Sequence, residues 1–457
     1  MSRPTFAARL AKPFVVFVER YYPDPFVFLI LLTLFAFGFA ILLTPTTGGE
    51  ALVAWGEGLA GLLAFMAQIV ITLITAHALA HTDAVSRGLA TLARLPQSLS
   101  ACYTLVVLCA CSASLLAWSF GLVTGALLAR AVAVQAAQRG LKVHYPLLVT
   151  AAYCGLVVWH MGYSGSAPLL VATPGHAMSD QIGLLPVSET LFAYWNLIAI
   201  VLTVAVLAYV CPRLHPADAE VRPATPEVLR TFSATKAAET QAAGSPATWG
   251  ARMDAQRGLT LVFGTLLAAY LGHYFFHNGF ALNLNIVNWS FLALGLLLAR
   301  SPAHYVELVL NAGQTVGAVL IQYPFYAGIM GLMAGSGLVE LLAGWFTQIS
   351  SEQTLGFWAF LAGSLVNLFI PSGGGQWAVQ GPVFLQAAQQ LGTDPAVIVM
   401  GIAYGDQWTN LIQPFWTIPL LAIAGLRMRD IMGYCFVLFL VSGLSLGGAI
   451  LYAGFFA

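Results

Sequence analysis

The chain has 457 residues, of which 59% are apolar and 8% are charged, against about 25% charged in an average soluble protein. Eighteen Lys and Arg balance 18 Asp and Glu, so there is neither a basic field for nucleic acid nor an acidic tail. This composition excludes a soluble globular chain, and long apolar runs in place of ten-residue alternations exclude an outer-membrane barrel.

Arg3, Arg9 and Lys12 precede an apolar run as in a signal peptide, but no small-residue cleavage site follows. The run from Phe26 to Leu43 is long enough to span and is read as retained, the first span covering 26–44. Further spans are predicted at 58–80, 146–175, 188–211, 258–276, 284–299, 311–335, 395–425 and 431–455. The apolar stretches 98–138 and 355–391 are interrupted by Gly, Ser or Pro and are predicted to be re-entrant hairpins. Broken backbone at membrane depth survives only where it lines a cavity or is buried in protein. Phe6–Glu19, Asp83–Leu95 and Gly337–Trp345 are weakly amphipathic, which suits helices lying along the interface or ordinary connecting helices. Pro212–Arg257 is rich in Ala, Pro, Thr and Glu and reads as a partly disordered cytoplasmic linker. The six cysteines lie in or beside apolar segments, so neither disulfides nor a zinc cluster is expected.

Nine crossings and two hairpins place all 18 Lys and Arg on one side, which the positive-inside rule makes the cytoplasm. The outer segments carry Glu50, Glu57, Asp180, Glu340, Glu352 and Asp394 and no basic residue. The N-terminus is then cytoplasmic and the C-terminus periplasmic. A single crossing in place of either hairpin puts Arg outside.

The two halves repeat the same features in order. Thr44-Pro45 answers Ser301-Pro302, Gln68 answers Gln322, and Gly121 answers Gly375. Ala152-Tyr153 then answers Ala403-Tyr404, Pro168 answers Pro414, and Pro174 answers Pro419. Residues 1–211 form the first repeat, 212–257 the linker, and 258–457 an extra span plus a second, inverted repeat. The predicted fold is an all-α polytopic membrane protein with inverted repeats, two re-entrant hairpins and two discontinuous helices. Secondary transporters share that architecture, with the substrate at the repeat interface.

Candidate chemistry sits at the breaks. The second tip reads Pro371-Ser372-Gly373-Gly374-Gly375-Gln376-Trp377. Three glycines are costly in a continuous helix, whereas a turn there aims backbone N–H groups and a helix N-terminus at an anion such as a carboxylate. Ser119, Gly121 and Thr124 occupy the matching first tip, and Ser164 and Ser166 precede Pro168 in the first broken helix. Proline at 168 and 414 is expected to free carbonyls as ligands for a substrate or cation. Asp406 lies deep in an apolar segment, where acids serve as ion ligands or proton carriers. Asn410 and Gln413 are expected on nearly the same helical face, a set suited to Na+, while Asp406 alone suits a proton. Gln322 is a further candidate substrate ligand, although buried glutamines of this kind are more often interhelical hydrogen-bond partners. The pairs His77/His81 and His273/His277 have metal-binding spacing but no following acid, and Gly373–Gly375 lacks the Lys-Ser/Thr ending of a nucleotide loop.

At these residues the chain resembles the short-chain fatty acid transporter family of the AtoE type. The resemblance is carried by Tyr22-Pro23-Asp24-Pro25, Thr75-Ala76-His77-Ala78-Leu79-Ala80, Phe120-Gly121-Leu122-Val123 and Ser164-Gly165-Ser166 with Ala172-Thr173-Pro174-Gly175. Gln322-Tyr323-Pro324-Phe325-Tyr326-Ala327-Gly328, Pro371–Gly375, Ala403–Trp408 and Gln413-Pro414-Phe415-Trp416 continue it. The resemblance implies uptake of short fatty acids or oxo acids, of the butyrate and acetoacetate class, across a bacterial inner membrane. It also implies a mobile domain of paired hairpins, a dimerising scaffold and elevator-like alternating access. A cation-coupled secondary carrier is therefore expected, with Na+ or a proton as coupling ion, no other cofactor, and lipid and a small monocarboxylate as partners. A passive channel or uniporter is the alternative. An enzyme is not expected, since no nucleophile–base pair or cofactor loop lies at membrane depth.

Overall fold

The computed structural model describes residues 25–456 except 62, 177, 227, 229–247, 280–283, 314–315 and 372. Before residue 25 it describes only Lys12, Pro13, Val16 and Arg20, so the interfacial helix expected at Phe6–Glu19 lies largely outside the described residues. The described residues contain no strand.

The first half runs α1 (Pro25–Leu43), α2 (Gly48–Gly58), α3 (Leu63–Ala80), α4 (Asp83–Leu92), α5 (Leu99–Leu116), α6 (Trp118–Gln138), α7 (Tyr145–Tyr153), α8 (Ser166–Val171) and α9 (Tyr194–Val210). After α10 (Arg257–Asn278) the order recurs as α11 (Leu284–Leu298), α12 (Pro302–Gly313), α13 (Gly317–Gly335), α14 (Leu338–Gln348), α15 (Leu355–Asn367), α16 (Gly373–Leu391), α17 (Pro395–Thr409), α18 (Pro414–Ala424) and α19 (Met428–Phe456). Setting aside the short helices Ser179–Ile182 and Trp249–Asp254, nine described helices of the first series match nine of the second, and their packing matches too. Helices α1 and α2 pack on α13, and their counterparts α11 and α12 pack on α3. Helices α5 and α6 enclose α7 as α15 and α16 enclose α17, and α9 packs on α19.

Both interrupted stretches turn back on themselves. Limbs α5 and α6 are antiparallel, with Gly121 against Ser114 and Gly125 against Ala110. Arg139 closes their open end by donating from Nη1 to the Pro96 carbonyl at 2.5 Å and from Nη2 to the Arg94 carbonyl at 2.8 Å. In the second stretch the Thr393 hydroxyl donates to the Glu352 carbonyl at 2.8 Å, so that hairpin also begins and ends at one place. Limbs α5 and α6 have 18 and 21 residues. At 1.5 Å per residue they reach about 27 and 32 Å, enough for a hydrocarbon core of about 30 Å. A hairpin whose limbs reach across still returns the chain to its starting side, so the charge argument is unaffected.

Seven helical runs among the described residues are long and apolar enough to cross, and two bent pairs raise the number to nine. The composition of that nine differs from the predicted one. Limbs α5 and α6 enter it, while α11 and α18 fall short at 15 and 11 residues. The expected spans 58–80 and 311–335 also begin later, because α2 and α12 are separate short helices. Thr47 and Glu50 form a reciprocal capping box that starts α2, a Thr-x-x-Glu signal visible in the sequence. The interfacial expectation fits the geometry of α4, turned 71° from α3, and of α14, turned 60° from α13.

Close helix approach is set by small residues, as in other membrane bundles where lipid gives apolar contacts no advantage. A Cβ at Gly401 would lie 2.6 Å from the Gly356 carbonyl, and one at Gly405 would lie 2.7 Å from the Ser364 nitrogen. The described start of the linker is fastened down. The Tyr145 N–H donates to the Arg222 carbonyl at 2.9 Å, the Arg222 N–H donates to His144 Nδ1 at 3.0 Å, and Arg222 pairs with Asp430 at 3.1 Å.

The hairpin geometry predicts an accessibility pattern. Single cysteines at positions 352 and 394 should react with an impermeant thiol reagent from one face, and a cysteine at Ser98 only from the other. Labelling of 352 and 394 from opposite faces would turn the second stretch into a single crossing and remove the inverted repeat.

Candidate functional site

Helix α17 starts at Asp394, whose carboxylate accepts the Ala396 N–H at 2.8 Å, and stops at Thr409. The chain turns through Asn410–Gln413 and resumes at Pro414, the first position of α18, where a missing N–H breaks no bond within the new helix. The carbonyl withdrawn from helical bonding at Asn410 is not left for a ligand. The Tyr153 hydroxyl donates to it at 2.6 Å. Because the helix ends at Thr409, Gln413 does not share a helical face with Asp406. It reaches the cluster by donating from Nε2 to the Asn367 carbonyl at 2.8 Å. Asn410 remains beside the acid, with Nδ2 3.4 Å from Asp406 Oδ1.

Asn367, at the end of α15, ties this cluster together. Its Nδ2 faces the Asp406 carbonyl at 2.8 Å, Thr409 Oγ1 at 2.9 Å and Asn410 Oδ1 at 2.8 Å, so two hydrogens serve three acceptors. Among the described residues, three buried oxygens around the break have no partner: Asp406 Oδ2, Asn367 Oδ1 and Gln413 Oε1. All three are acceptors.

The first broken helix passes from α7 through 3-10 turns at Cys154–Val157 and Trp159–Met161 before α8 begins. Pro168 does not cause this break. It sits in the first turn of α8, where backbone N–H groups have no intrahelical partner in any case. His160 occupies the break, fully buried. Its backbone N–H donates to Gln407 Oε1 at 2.9 Å, and its Nδ1 accepts the Ser166 N–H at 3.1 Å. That acceptance leaves the ring proton on Nε2, which points at Asp406 Oδ1 3.2 Å away. The imidazole of the first repeat thus donates to the carboxyl group of the second.

The second tip lies directly on this pair. A Cβ at Gly373 would overlap the His160 ring and lie 3.3 Å from Ser166 Oγ. Gly374 faces more open space, with Leu170 Cδ1 3.7 Å away, and Gly375 belongs to the first turn of α16. Gln376 spends its amide inside the hairpin, donating to the Gly363 carbonyl at 2.8 Å and to Gln380 Oε1 at 2.9 Å. Ser372 lies outside the described residues.

At the first tip most candidates are engaged in packing. Gly121 lets α6 approach Ser114, Thr124 donates back to the Phe120 carbonyl at 2.6 Å, and Ser164 Oγ accepts the Trp118 N–H at 3.1 Å. The Ser119 hydroxyl is buried without a partner. Gln322 lies on α13 with Oε1 buried and unpartnered, next to Tyr323 and Tyr326 that pack on Phe415 at 4.4 and 5.0 Å. Gly373, Ser166, Asp406, Asn410 and Gln413 therefore come together, while Ser119, Gly121 and Ser164 gather at the other tip. His160, Asn367 and Gln407 were given no role by sequence reasoning. Their visible signal was a polar residue within an apolar run beside a break. The His77/His81 and His273/His277 rings stack at 4.0 and 4.1 Å, and the second ring of each pair bonds the carbonyl of the first residue.

The family model described as "Short chain fatty acid transporter" matches residues 6–453. A protein of Escherichia coli (strain K12) is 40% identical over 435 residues, covering 95% of this chain and 97% of that one. One from Haemophilus influenzae is 36% identical over 438 residues, covering 94% and 96%. Both carry the name "Putative short-chain fatty acid transporter". Among solved structures, the Neisseria gonorrhoeae MtrF chain, from a class of antimetabolite efflux pumps, aligns with TM-score 0.50 at 14% identity over 97% of both chains. The Alcanivorax borkumensis YdaH transporter aligns with TM-score 0.47 at 17% identity, covering 95% of this chain and 99% of that one. The MtrF likeness shows a shared fold and nothing finer.

Crowding at the second tip separates two neighbouring glycines. Gly373→Ala should lower stability by about 1–3 kcal/mol, the usual cost of forcing a methyl into a packed site, whereas Gly374→Ala should leave it unchanged. Thermal midpoints of the two variants in detergent check this. Equal midpoints would mean that the tip does not press on His160.

Proposed function

The chain belongs to the short-chain fatty acid transporter family, and on that premise we propose that it is a secondary carrier for short-chain fatty acids or oxo acids driven by a co-transported cation. It is a multi-pass membrane transporter and not an enzyme. Its place in this reading is the bacterial inner membrane, with the N-terminus cytoplasmic and all basic residues inside.

The observation that carries the coupling is the buried Asp406 carboxylate, which accepts from His160 on one oxygen and has no partner on the other. An ionised carboxylate at this depth is costly unless a cation accompanies it or a proton neutralises it. The unpartnered Asn367 and Gln413 oxygens favour a cation, because a proton on Asp406 could donate to only one of them whereas Na+ accepts several oxygens. Coupling also follows from the electrical work. Moving one negative substrate inward costs about 2.3 kcal/mol per 100 mV of negative-inside potential. One co-transported cation cancels that cost, and a second turns the potential into a driving force.

The substrate carboxylate is assigned to the second tip, where the N-terminus of α16 and the amides of Gly373–Gly375 supply donors without Lys or Arg. Ser119 and Ser166 are assigned to the same anion in this reading. The reciprocal packing of α1–α4 with α11–α14 is read as a fixed scaffold that pairs with a second copy. The hairpins and broken helices form the moving part of an elevator-like cycle. The interfacial helices α4 and α14 connect the two parts.

Uptake of butyrate and acetoacetate into proteoliposomes, with Na+ and proton gradients imposed in turn, tests the proposal. The wild type should accumulate substrate above equilibrium only with the coupling gradient. Asp406→Asn should lose that accumulation at least tenfold while exchange at equal concentrations survives. Asn367→Leu should abolish the response to Na+ and leave any response to a proton gradient intact. Uptake that never exceeds equilibrium would instead mark a channel or uniporter, and full accumulation by Asp406→Asn would make the acid structural.

A further inference from the structure

Beside the acceptor cluster at Asp406 lies a group of the opposite polarity. Trp159, next in the chain to His160, lies against the imidazole with ring centroids 3.5 Å apart and the planes tilted by 38°. Trp416, in the first turn of α18, lies 6.2 Å from Trp159, and Trp118 of the first tip lies 6.3 and 4.8 Å from the two. Trp159 is 3% exposed and Trp416 4%, yet the indole Nε1 of each has no hydrogen-bond partner. Gln407, whose Oε1 accepts the His160 N–H, also keeps Nε2 buried and unpartnered.

We propose that the indole N–H groups of Trp159 and Trp416 bind the substrate carboxylate, completing the anion site begun by the glycine tip. The inference rests on the carrier reading and names the part of the site that sets its charge preference. An indole N–H only donates, so neither a cation nor a carbonyl-seeking hydroxyl proton can satisfy it in place of an acceptor. A phenylalanine would fill the same aromatic box and bury no donor. A tryptophan buries its N–H at a cost unless an acceptor arrives. The polarity of the unpartnered atoms thus divides the site. Oxygens near Asp406 select a cation, and N–H groups around Trp159 select an anion.

The arrangement also accounts for an anion site without Lys or Arg. Neutral donors carry a smaller desolvation cost than a buried cation, and they release the anion when the carrier opens. Phe415, 4.7 Å from Trp416 and 5.0 Å from Tyr326, supplies an apolar face beside the donors for a short acyl chain.

The test uses the full-length protein in detergent at saturating Na+, with butyrate as probe. Trp159→Phe and Trp416→Phe should each weaken equilibrium butyrate binding about tenfold, the loss expected for one hydrogen bond to a charged group. The half-saturating Na+ concentration should stay unchanged. Trp195→Phe, which removes an indole packed on Tyr404 outside the box, should leave butyrate binding as it was. If a phenylalanine variant fails to fold, benzothienylalanine at position 159 removes the N–H while keeping the bicyclic shape, and should show the same loss. Unchanged butyrate affinity in the double phenylalanine variant, or in the benzothienylalanine protein, would overturn the assignment and leave the carrier reading standing. Failure of the wild type to bind or move any short carboxylate would overturn the carrier reading itself.

Discussion

Two helices stop and restart inside the apolar body of this protein, and every polar group released there must find a partner without bulk water. That requirement governs the centre of the molecule. An unsatisfied backbone group in a dry interior costs about 1–3 kcal/mol, so a broken helix persists only if neighbours replace the lost bonds. Each repeat supplies that support to the other. Tyr153 of the first repeat donates to the Asn410 carbonyl at the break of the second. Tyr404 of the second repeat donates at 2.6 Å to Asn196 Oδ1, and the Asn196 amide donates at 3.1 Å to the Met161 carbonyl at the break of the first. The two tyrosines occupy equivalent places in the duplicated sequence, so the bracing is itself duplicated.

Symmetry makes the scaffold, and departures from it make the centre distinctive. The first tip is closed by packing, with Gly121 and Ser164 committed to holding limbs α5 and α6 against the broken helix. The second tip carries glycines, and one of them rests on a histidine of the opposite repeat. The bond between His160 and Asp406 joins the two repeats at the point where both chains are broken. The acid, the imidazole and the tip glycine are consecutive contacts.

What remains unpartnered is as informative as what is bonded. Buried polar atoms in folded proteins nearly always have partners, so a local group of exceptions of one polarity points to a ligand of the opposite polarity. Around the break after Asp406 the unpartnered Asp406 Oδ2, Asn367 Oδ1 and Gln413 Oε1 accept, while the Trp159 and Trp416 indoles and Gln407 Nε2 donate. Adjacent sites of opposite preference suit a carrier that takes a cation and a carboxylate together.

The sequence by itself determined the class of the protein and the recurrence of its features, and it carries the charge pattern from which the orientation is proposed. These depend on averages and order along the chain: apolar run lengths, the one-sided placement of Lys and Arg, and the recurrence of Gly, Pro and Tyr at matched intervals. It also singled out Asp406 and the glycine tip, because an acid or three glycines in an apolar run are costly without a purpose. Tertiary structure alone decided the partners. Asn367 lies 39 residues from Asp406 in the chain, and His160 lies 246 residues away. No local period or propensity encodes such pairings. The proline-freed carbonyl at Asn410 was legible as a released acceptor, yet its capture by Tyr153 was not, for the same reason. The short helices α2 and α12 were missed because their apolar residues merge with the spans beside them, although a capping box marked the first. Local chemistry shows where a chain must break, and only the packed fold shows which distant side chain answers the break.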